Sequence, residues 1–517
     1  MKTKRMKKAV ALILSAAIAG AAFTGCSGST SASTAESKKS ASKAPSGPPT
    51  EITMAFITFG STPDSNSAAF QEINKIAEKE INVKVHFLPI SMGAWSQKTN
   101  LMLSGNENLD LMYGFDSSLP NYYSNGQIVS MQQYLKNDGK DIESAVGSVY
   151  MRSGQMNGEQ YAVPVANRCN GGGYGVVMRE DLCKKYEIDT SKITDYDSLE
   201  SALKVIHQKE PSMYPLVSQE NNVSLVDTAH DWDVLSDGIG VLMNKGNSLN
   251  VVDLYEQSSY AAKLKMFHKW FTEGLIMKDI TTNTESGTTL IKSGKAFASL
   301  YQMYANVKDV ALDVTQSTGR QVTAVQLIEP YATTSQSLWM LTKNSKNPEK
   351  AVQFLNLMYR DPEIMNDLTY GVKGTDYTVE KNSAGNDCVS FPASADMSKS
   401  WYATFGAANG WAFPNQKNLY QLKSYDPDYL KNMDAYNRTV TNSKAVGFTF
   451  DNSDLTTQSS TLSNVLTQYR VSLEDGVSDP DTVLPQMIKK LKASGLDEYI
   501  KAKQTQLTKW AQQTNVK

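Results

Sequence analysis

The sequence predicts an α/β protein made of two units, each a parallel-rich sheet covered by helices. At 517 residues the chain is too long for one compact core and should divide into domains. From Glu51 onward, strand-like alternation and helix-like periodicity follow one another in the order β-α-β-α-β. A glycine-rich stretch at residues 170–175 then precedes a second series of strands and helices, so we expect the crossing between the units there.

The first unit opens with a strand in which Ile52, Met54 and Phe56 alternate up to a turn at residues 60–64. The next elements are a helix with Phe70, Ile73, Ile76 and Ala77 at spacings of three and four, a strand over 81–88, a helix over 95–103 and a strand over 109–115. In such sheets the ligand loops follow the carboxyl ends of the strands. We therefore expect the loops at 60–64 and 115–119 to lie near a site.

The second unit follows a strand at residues 158–164. The glycine-rich stretch after this strand is interpreted as a flexible crossing, because neither G-K-[ST] nor G-x-G-x-x-G follows to support a phosphate loop. Apolar spacing then predicts helices over 199–206 after a Thr194 cap, over 264–271 ending at Gly274, over 351–358 after an Asn347 cap and Pro348, and a final helical run over 484–510.

The first 50 residues predict an export signal and a tether. Residues 1–8 carry five bases and no acid, and residues 9–23 are apolar but shorter than a membrane span. They end at Phe23-Thr24-Gly25-Cys26, which resembles the lipobox of bacterial lipoproteins, with Phe23 where Leu is usual. An ordinary signal peptide with an incidental cysteine is the alternative. We predict a signal peptide over 1–25, lipidation of Cys26, and a flexible tether over 26–50 that holds the protein at an outer membrane face.

Composition excludes several classes of protein and of site. With 40% hydrophobic and 20% charged residues the chain is globular, and its net charge of −2 becomes −9 once the eight bases and one acid before residue 51 are set aside. An acidic body gives no reason to expect nucleic-acid binding. Cys169, Cys183 and Cys388 are an odd set, and the four His form no H-E-x-x-H motif, so we expect no disulfide framework, metal or cofactor.

Five motifs occur in a fixed order: Gly158-Glu159-Gln160-Tyr161-Ala162-Val163-Pro164, Arg179-Glu180-Asp181-Leu182, Gly274-Leu275-Ile276, Ser293-Gly294-Lys295-Ala296 and Asn347-Pro348-Glu349-Lys350-Ala351. In this order they resemble family 1 extracellular solute-binding proteins, the binding subunits of ABC sugar importers. The lipobox matches the Gram-positive form of that family. The resemblance covers about residues 51–375, and the C-terminal part looks like the extension of a larger lipoprotein subgroup.

The resemblance implies a periplasmic-binding-protein-like fold, in which two hinge-linked lobes close on a ligand in the cleft between them. Lobe 1 would hold residues 51–165 and about 336–375. Lobe 2 would hold residues 166–335 and about 376–517, including a C-terminal helical extension. The family also implies a non-catalytic monomer, lipid-anchored at the extracytoplasmic face of the cell membrane, that delivers its ligand to the permease subunits of an ABC importer.

A sugar site needs aromatic rings beside side chains that bind hydroxyl groups, and the chain has 25 Tyr and 7 Trp. The candidates on expected cleft loops are Asp64, Asp116, Asn167, Arg168, Asn170, Asp231, Trp232, Tyr301, Tyr304, Trp339 and Trp411. Each has a structural alternative: a Trp is more often packing, the first two Asp could cap helices, and Arg168 could pair with a structural carboxylate. Trp95, Trp270 and Trp510 lie in helical patterns and are assigned to packing.

The predicted function is capture of a carbohydrate, an oligosaccharide given the size of the chain and its supply of rings, for import. Two alternatives stay open. A binder of another solute such as a peptide would place several Arg or Asp in the cleft instead of stacked rings. A surface glycoside hydrolase would need two carboxylates about 5 to 10 Å apart, which 53 acidic residues leave untested at the level of sequence.

Overall fold

The computed structural model describes residues 47–221 and 223–517. The predicted signal peptide, the lipidation site Cys26 and nearly all of the predicted tether lie outside this range. Within it, no helix is both long and apolar enough to cross a bilayer.

The strands are β1 (Thr50–Thr58), β2 (Val83–Ser91), β3 (Leu111–Phe115), β4 (Gln155–Met156), β5 (Glu159–Gln160), β6 (Ala162–Pro164), β7 (Gly172–Arg179), β8 (Tyr214–Val217), β9 (Ala296–Met303), β10 (Val322–Ala332), β11 (Ser337–Leu341), β12 (Thr378–Lys381), β13 (Asp387–Ser390), β14 (Gln421–Leu422) and β15 (Thr441–Asn442). The α-helices are α1 (Ala68–Ile81), α2 (Met92–Ser104), α3 (Leu119–Ser124), α4 (Gln132–Asp138), α5 (Lys140–Val146), α6 (Glu180–Lys185), α7 (Tyr196–Lys209), α8 (Met243–Gly246, one distorted turn), α9 (Ser258–Thr272), α10 (Gly287–Ser293), α11 (Val307–Thr318), α12 (Pro348–Arg360), α13 (Pro362–Tyr370), α14 (Ala407–Asn409), α15 (Tyr429–Asn437), α16 (Thr456–Glu474), α17 (Pro480–Ala493) and α18 (Leu496–Thr514). A π-helical turn, Tyr402–Gly406, precedes α14.

Two five-stranded sheets form the framework, in the orders β2-β1-β3-β11-β6 and β15-β10-β7-β9-β8. In the first sheet β1 pairs parallel with β2 and β3, while β11 pairs antiparallel with β3 and β6. In the second, β7 pairs antiparallel with β10 and β9, while β10–β15 and β8–β9 are parallel. The two-unit α/β prediction is confirmed, but the sheets are mixed. β11 enters the first sheet at the edge where β6 leaves it, and β7 enters the second sheet at the edge where β10 leaves it. Each pair is therefore antiparallel.

Each sheet lies in its own hydrophobic core. The first core joins β1, α1 and α12 and also takes in Phe405 and Phe413, which contact Phe56 with ring centroids 6.2 and 5.7 Å away. The second core joins β7 to β10 with α9 and the C-terminal helices α16 to α18. A small third cluster connects Tyr370 and Tyr377 with β13 and β14. Phe405 and Phe413 therefore belong with the first lobe. The family resemblance assigned all residues after about 376 to the second lobe. The other lobe boundaries stay a prediction.

The predicted helices occur, but three of their ends differ. Asp195, rather than Thr194, caps α7: its carboxylate accepts from Ser198 N at 2.8 Å in a capping box. Asn347 stands at the start of α12 but its side chain makes no capping hydrogen bond; its Nδ2 donates to Glu51 O at 3.3 Å. The final helical run is two helices, α17 and α18, separated at Gly495, whose φ of +89° ends a helix.

The glycine-rich stretch is not a flexible crossing. Residues 172–175 form the start of β7, a central strand of the second sheet. A Cβ on Gly171 would lie 2.4 Å from Tyr331 O, and one on Gly173 would lie 2.2 Å from Ile328 O. These glycines therefore allow the backbone of β10 to approach β7 closely.

Candidate functional site

A cavity of about 1120 Å³ opens between the two cores. Three connections between the lobes line it: the β6–β7 crossing at residues 167–172, the β10–β11 crossing at 332–337, and the segment at 416–422 that leads back toward α15. The cavity volume is slightly above the usual range for ligand sites, about 300 to 1,000 Å³. Its walls belong to both lobes, so a ligand there would contact both.

The second lobe supplies an aromatic floor built around His230. Tyr174 OH lies 3.2 Å from His230 Nε2, and Tyr331 OH lies 3.1 Å from His230 Nδ1. The Trp232 ring stacks on the imidazole with centroids 4.8 Å apart, and Trp232 O accepts the Tyr331 hydroxyl at 3.0 Å. Since the Tyr331 hydroxyl donates its one proton to Trp232 O, it must accept a hydrogen bond from His230 Nδ1–H. Nε2 of His230 then accepts from the Tyr174 hydroxyl. The floor is therefore a fixed network around a neutral imidazole.

Burial lowers the pKa of His230 to about 4. An unfolded His titrates near 6.5, so between these pH values the unfolded chain binds a proton that the folded protein does not. The stability that His230 contributes is thus complete above about pH 6.5 and is lost as the pH falls toward 4. Between pH 7 and pH 5 we expect the free energy of unfolding of the wild type to fall by about 1 to 2 kcal/mol more than that of His230→Gln, as measured by urea unfolding at both pH values. Unfolding curves that shift in parallel with pH would contradict this assignment.

The first lobe contributes Trp411, which is 40% exposed in the part of the chain described. Its ring packs against Phe59 with centroids 5.5 Å apart, and its Nε1–H donates to Ala408 O at 2.8 Å. Asn409 fixes the same turn to β1, because its side chain accepts from Phe59 N at 2.8 Å and donates to Phe59 O at 3.1 Å. Trp411 is therefore a large ring held in place and exposed in the cavity.

A third surface of the cavity, which we call the tyrosine wall, consists of Tyr304, Tyr402, Tyr420, Tyr425 and Tyr429. Tyr304 donates to Asp313 at 3.0 Å, and the Tyr425 and Tyr429 rings lie 4.7 Å apart. Polar side chains also line the cavity: Gln416, for example, donates to Asn167 Oδ1 at 3.1 Å. The lining therefore combines aromatic rings with groups that can bind hydroxyls.

The cavity lining contains the charged side chains of Arg168, Glu220 and Asp227, and of these only Asp227 forms an ion pair with a described residue. Asp227 pairs with Arg470 at 3.0 Å. Arg168 donates to Leu419 O and lies over the Tyr429 ring at 5.8 Å from its centroid. Glu220 forms no ion pair with a described residue, and burial raises the pKa of its carboxyl. The cavity is therefore polar but offers few uncompensated charges.

The structure brings seven of the eleven predicted site residues together in the cavity lining: Asn167, Arg168, Asn170, Trp232, Tyr301, Tyr304 and Trp411. Trp232 is only 3% exposed and belongs mostly to the second core, so Trp411 offers much more of its ring. Direct contact of these residues with a ligand stays a prediction.

Four predicted site residues lie outside the lining. Asp64 is exposed and accepts from Asn66 N at 2.7 Å in a turn, and half-buried Asp231 accepts from Lys245 N through its carbonyl oxygen. Asp116 is buried and accepts from Ser236 Oγ of the second lobe at 2.5 Å. Trp339 is fully buried in β11, where its Nε1–H donates to Ala412 O at 3.1 Å. For Asp64, Asp116 and Trp339 a structural contact uses the side chain that was expected to bind ligand, whereas for Asp231 the contact uses the backbone carbonyl.

Sequence reasoning missed His230, Tyr174, Tyr331 and most of the tyrosine wall. Two local signals were available. His230 lies two residues before Trp232, and tyrosines recur at 402, 420, 425 and 429 in a segment without a helical stripe. Their convergence depends on chain segments far apart in sequence, which no local pattern reveals.

A family model described as bacterial extracellular solute-binding protein matches residues 60–364, and one described as a domain of unknown function, DUF3502, matches residues 444–512. A relative named carbohydrate ABC transporter substrate-binding protein, from Streptococcus pneumoniae serotype 4, is 26% identical over 451 residues, which are 85% of this chain and 87% of the relative.

Solved structures give the same fold. The N-glycan transport solute-binding protein of Streptococcus pneumoniae matches with a TM-score of 0.77 at 25% identity, over 90% of this chain and 99% of that one. Its complex with Man5GlcNAc matches with a TM-score of 0.70 at 24% identity, over 90% and 99%.

Proposed function

Because this chain belongs to the bacterial extracellular solute-binding protein family, we propose that it captures a carbohydrate, specifically an oligosaccharide, in the cavity between its lobes. The family consists of binding proteins of importers rather than enzymes. A relative is named for carbohydrate ABC transport and a structural neighbour for N-glycan transport, which supports the same class of ligand here.

One observation carries the proposal: the cavity exposes an indole on one side and tyrosine rings on the other. Sugars present apolar C–H faces that stack on such rings and hydroxyls that bond to polar side chains in the same plane. Trp411 is more exposed than the tyrosine rings that line the cavity. Next to it, the Gln416 side chain donates to Trp411 O and to Asn167 Oδ1. With a volume of about 1120 Å³ the cavity has room for more than one sugar ring.

The electrostatics favour a neutral ligand over a charged peptide. A peptide binder should present Arg or Asp side chains to pair with charged groups on the ligand. Here Asp227 is paired with Arg470, and Arg168 donates to Leu419 O and lies over the Tyr429 ring. Arg168 and Glu220 form no ion pair with a described residue, so the lining holds one such group of each sign, and the Glu220 carboxylate can accept a hydrogen bond from a sugar hydroxyl.

Binding would stabilise a closed form, since only that form contacts a ligand from both lobes. The three connections that line the cavity are the natural hinges for such a closure. The protein would then present its ligand to the transmembrane subunits of an ABC importer. We further propose that Cys26 carries the lipid that holds a monomer at the extracytoplasmic face of the membrane.

The test is isothermal titration calorimetry with a mannose-containing N-glycan, a gluco-oligosaccharide and a tripeptide. We expect micromolar or tighter binding of at least one oligosaccharide and none of the tripeptide. Chromatography of the same mixtures after overnight incubation should show intact sugars. Binding of the tripeptide alone, or the appearance of shorter sugars, would contradict the proposal.

A further inference from the structure

We propose that the C-terminal unit, residues 444–512, positions the aromatic floor of the cavity and thereby sets its affinity for ligand. This inference rests on the proposed function for the meaning of the cavity. The unit matches a family model to which no function is attached. Its helices α16 and α18 contact one stretch of the second lobe, residues 223–242, which we call the floor segment.

The end of α16 holds the first part of the floor segment through three side chains. Glu474 accepts from Ser224 Oγ at 2.6 Å, and Asp475 accepts from Leu225 N at 3.0 Å. Arg470 donates to Asp227 at 3.0 Å. Asp227 lines the cavity three residues before His230, so these contacts act directly beneath the floor.

These contacts lie mostly in the protein interior. Glu474 is 2% exposed and also accepts from Tyr260 OH at 2.9 Å. Arg470 lies between two carboxylates, 3.4 Å from Glu474 and 3.0 Å from Asp227. Arg470 is thus the cation shared by both acids, and its loss would remove the ion pair that ties Asp227 to α16.

Helix α18 holds the other part of the floor segment. Lys503 is fully buried and donates to Asp237 and, at 2.6 Å, to Ile239 O. Tyr499 OH donates to the same Asp237 carboxylate at 2.8 Å. Ser236, the preceding residue, makes the 2.5 Å hydrogen bond to Asp116 of the first lobe.

The floor segment therefore carries the cavity residues His230 and Trp232 between two anchors, one on α16 and one on α18. It also carries a contact between the lobes. The only helix described in this segment is one 3-10 turn, Val226–Thr228, so the segment needs such anchors to keep its side chains in one geometry. The geometry assigns this anchoring role to the C-terminal unit, with Arg470 as a positioning residue that acts through Asp227.

The experiment compares Arg470→Ala with Lys265→Ala in the full mature chain. The control removes a more exposed ion pair, Lys265–Asp481 at 2.6 Å, which joins α9 of the second lobe to the C-terminal unit but does not touch the floor segment. Each protein is labelled with 5-fluorotryptophan, and the Trp232 ¹⁹F resonance is assigned with Trp232→Phe. Affinity for the oligosaccharide that binds wild type is measured by calorimetry.

We expect Arg470→Ala to shift the Trp232 resonance and to weaken binding about 5- to 20-fold, with most of the affinity restored in Arg470→Lys. Lys265→Ala should change neither. An unchanged resonance in Arg470→Ala, or an equal change in the control, would overturn the proposal. If Arg470→Ala does not fold, Tyr499→Phe decides the matter in the same way, because it removes one hydroxyl from Asp237 and no packed ring.

The two proposals can fail separately. If wild type binds no sugar, the proposed function fails, while the resonance comparison in the free protein still tests the anchoring. If wild type binds sugar but the resonance and the affinity of Arg470→Ala match wild type, only the anchoring fails.

Discussion

Trp411→Ala is expected to weaken oligosaccharide binding by about 10- to 100-fold and to leave the melting temperature nearly unchanged. A ring that stacks on a sugar contributes about 1 to 3 kcal/mol to binding, and each 1.4 kcal/mol is about tenfold in Kd. The ring is 40% exposed without ligand, so its removal takes little from the hydrophobic core. Its ring is tilted against Phe59, 5.5 Å between centroids, and lies edge-on to Tyr113 at 6.3 Å.

The measurement is calorimetric affinity together with thermal unfolding of the free protein. Trp411→Phe serves as the matched control, because it keeps a ring of similar orientation while losing the hydrogen bond to Ala408 O. We expect the Phe variant to retain most of the affinity. A large drop in melting temperature with unchanged affinity would mean that Trp411 is a packing residue, and the cavity would lose its best sugar platform.

Trp411 and Trp339 show which part of the site could be predicted from sequence. Trp339 follows polar residues at an expected crossing, and Trp411 lies in a Gly- and Ala-rich stretch, so both were reasonable candidates. One is exposed in the cavity and the other is fully buried in β11 against Tyr113, 5.8 Å between centroids. Local composition can propose an aromatic residue for a loop, but its exposure depends on which strand neighbours it in the folded sheet. That neighbour comes from more than 200 residues away: Trp339 pairs with Tyr113.

The fold could be predicted further than the site. Periodicity found α1, β2, α2 and β3 with errors of only a few residues, because each apolar stripe is local and faces one core. Strand direction could not be predicted in the same way. Whether β11 runs parallel or antiparallel depends on the side from which the chain re-enters the first lobe, and no spacing in residues 337–341 encodes that. The tyrosine wall has the same difficulty, since Tyr304 and Tyr425 line one cavity although about 120 residues separate them in the sequence.

Gly175→Ala is expected to lower the free energy of unfolding by about 2 to 4 kcal/mol, although it adds a single methyl group. The new Cβ would lie 2.0 Å from Val325 O and 3.0 Å from Gln326 Cα, both backbone atoms of β10. A flexible side chain could move away from such a clash. The carbonyl of Val325 cannot, because Val325 is opposite Val176 in the register of the β7–β10 pair.

Gly93→Ala is the control, since a Cβ at Gly93 would meet no atom within 4 Å and the residue lies in the first turn of α2. There we expect no loss, or a gain of up to about 1 kcal/mol from higher helix propensity. Urea unfolding of both variants beside wild type separates the two effects. If Gly175→Ala were as stable as wild type, close packing of β7 against β10 would not explain the glycines. The interpretation of this stretch as a flexible crossing would then be the better one.

Gly175→Ala should also disturb the ligand cavity, because the preceding residue in β7, Tyr174, contacts His230 in the cavity floor. Pushing β7 away from β10 separates Tyr174 from Tyr331, the two hydroxyls that hold opposite nitrogens of one imidazole. A displacement of about 1 Å is enough to break one of these hydrogen bonds. The variant should therefore lose oligosaccharide affinity even at temperatures where it is fully folded. That result would show that the close approach of β7 and β10, which the glycines allow, keeps Tyr174 and Tyr331 in position to bind His230.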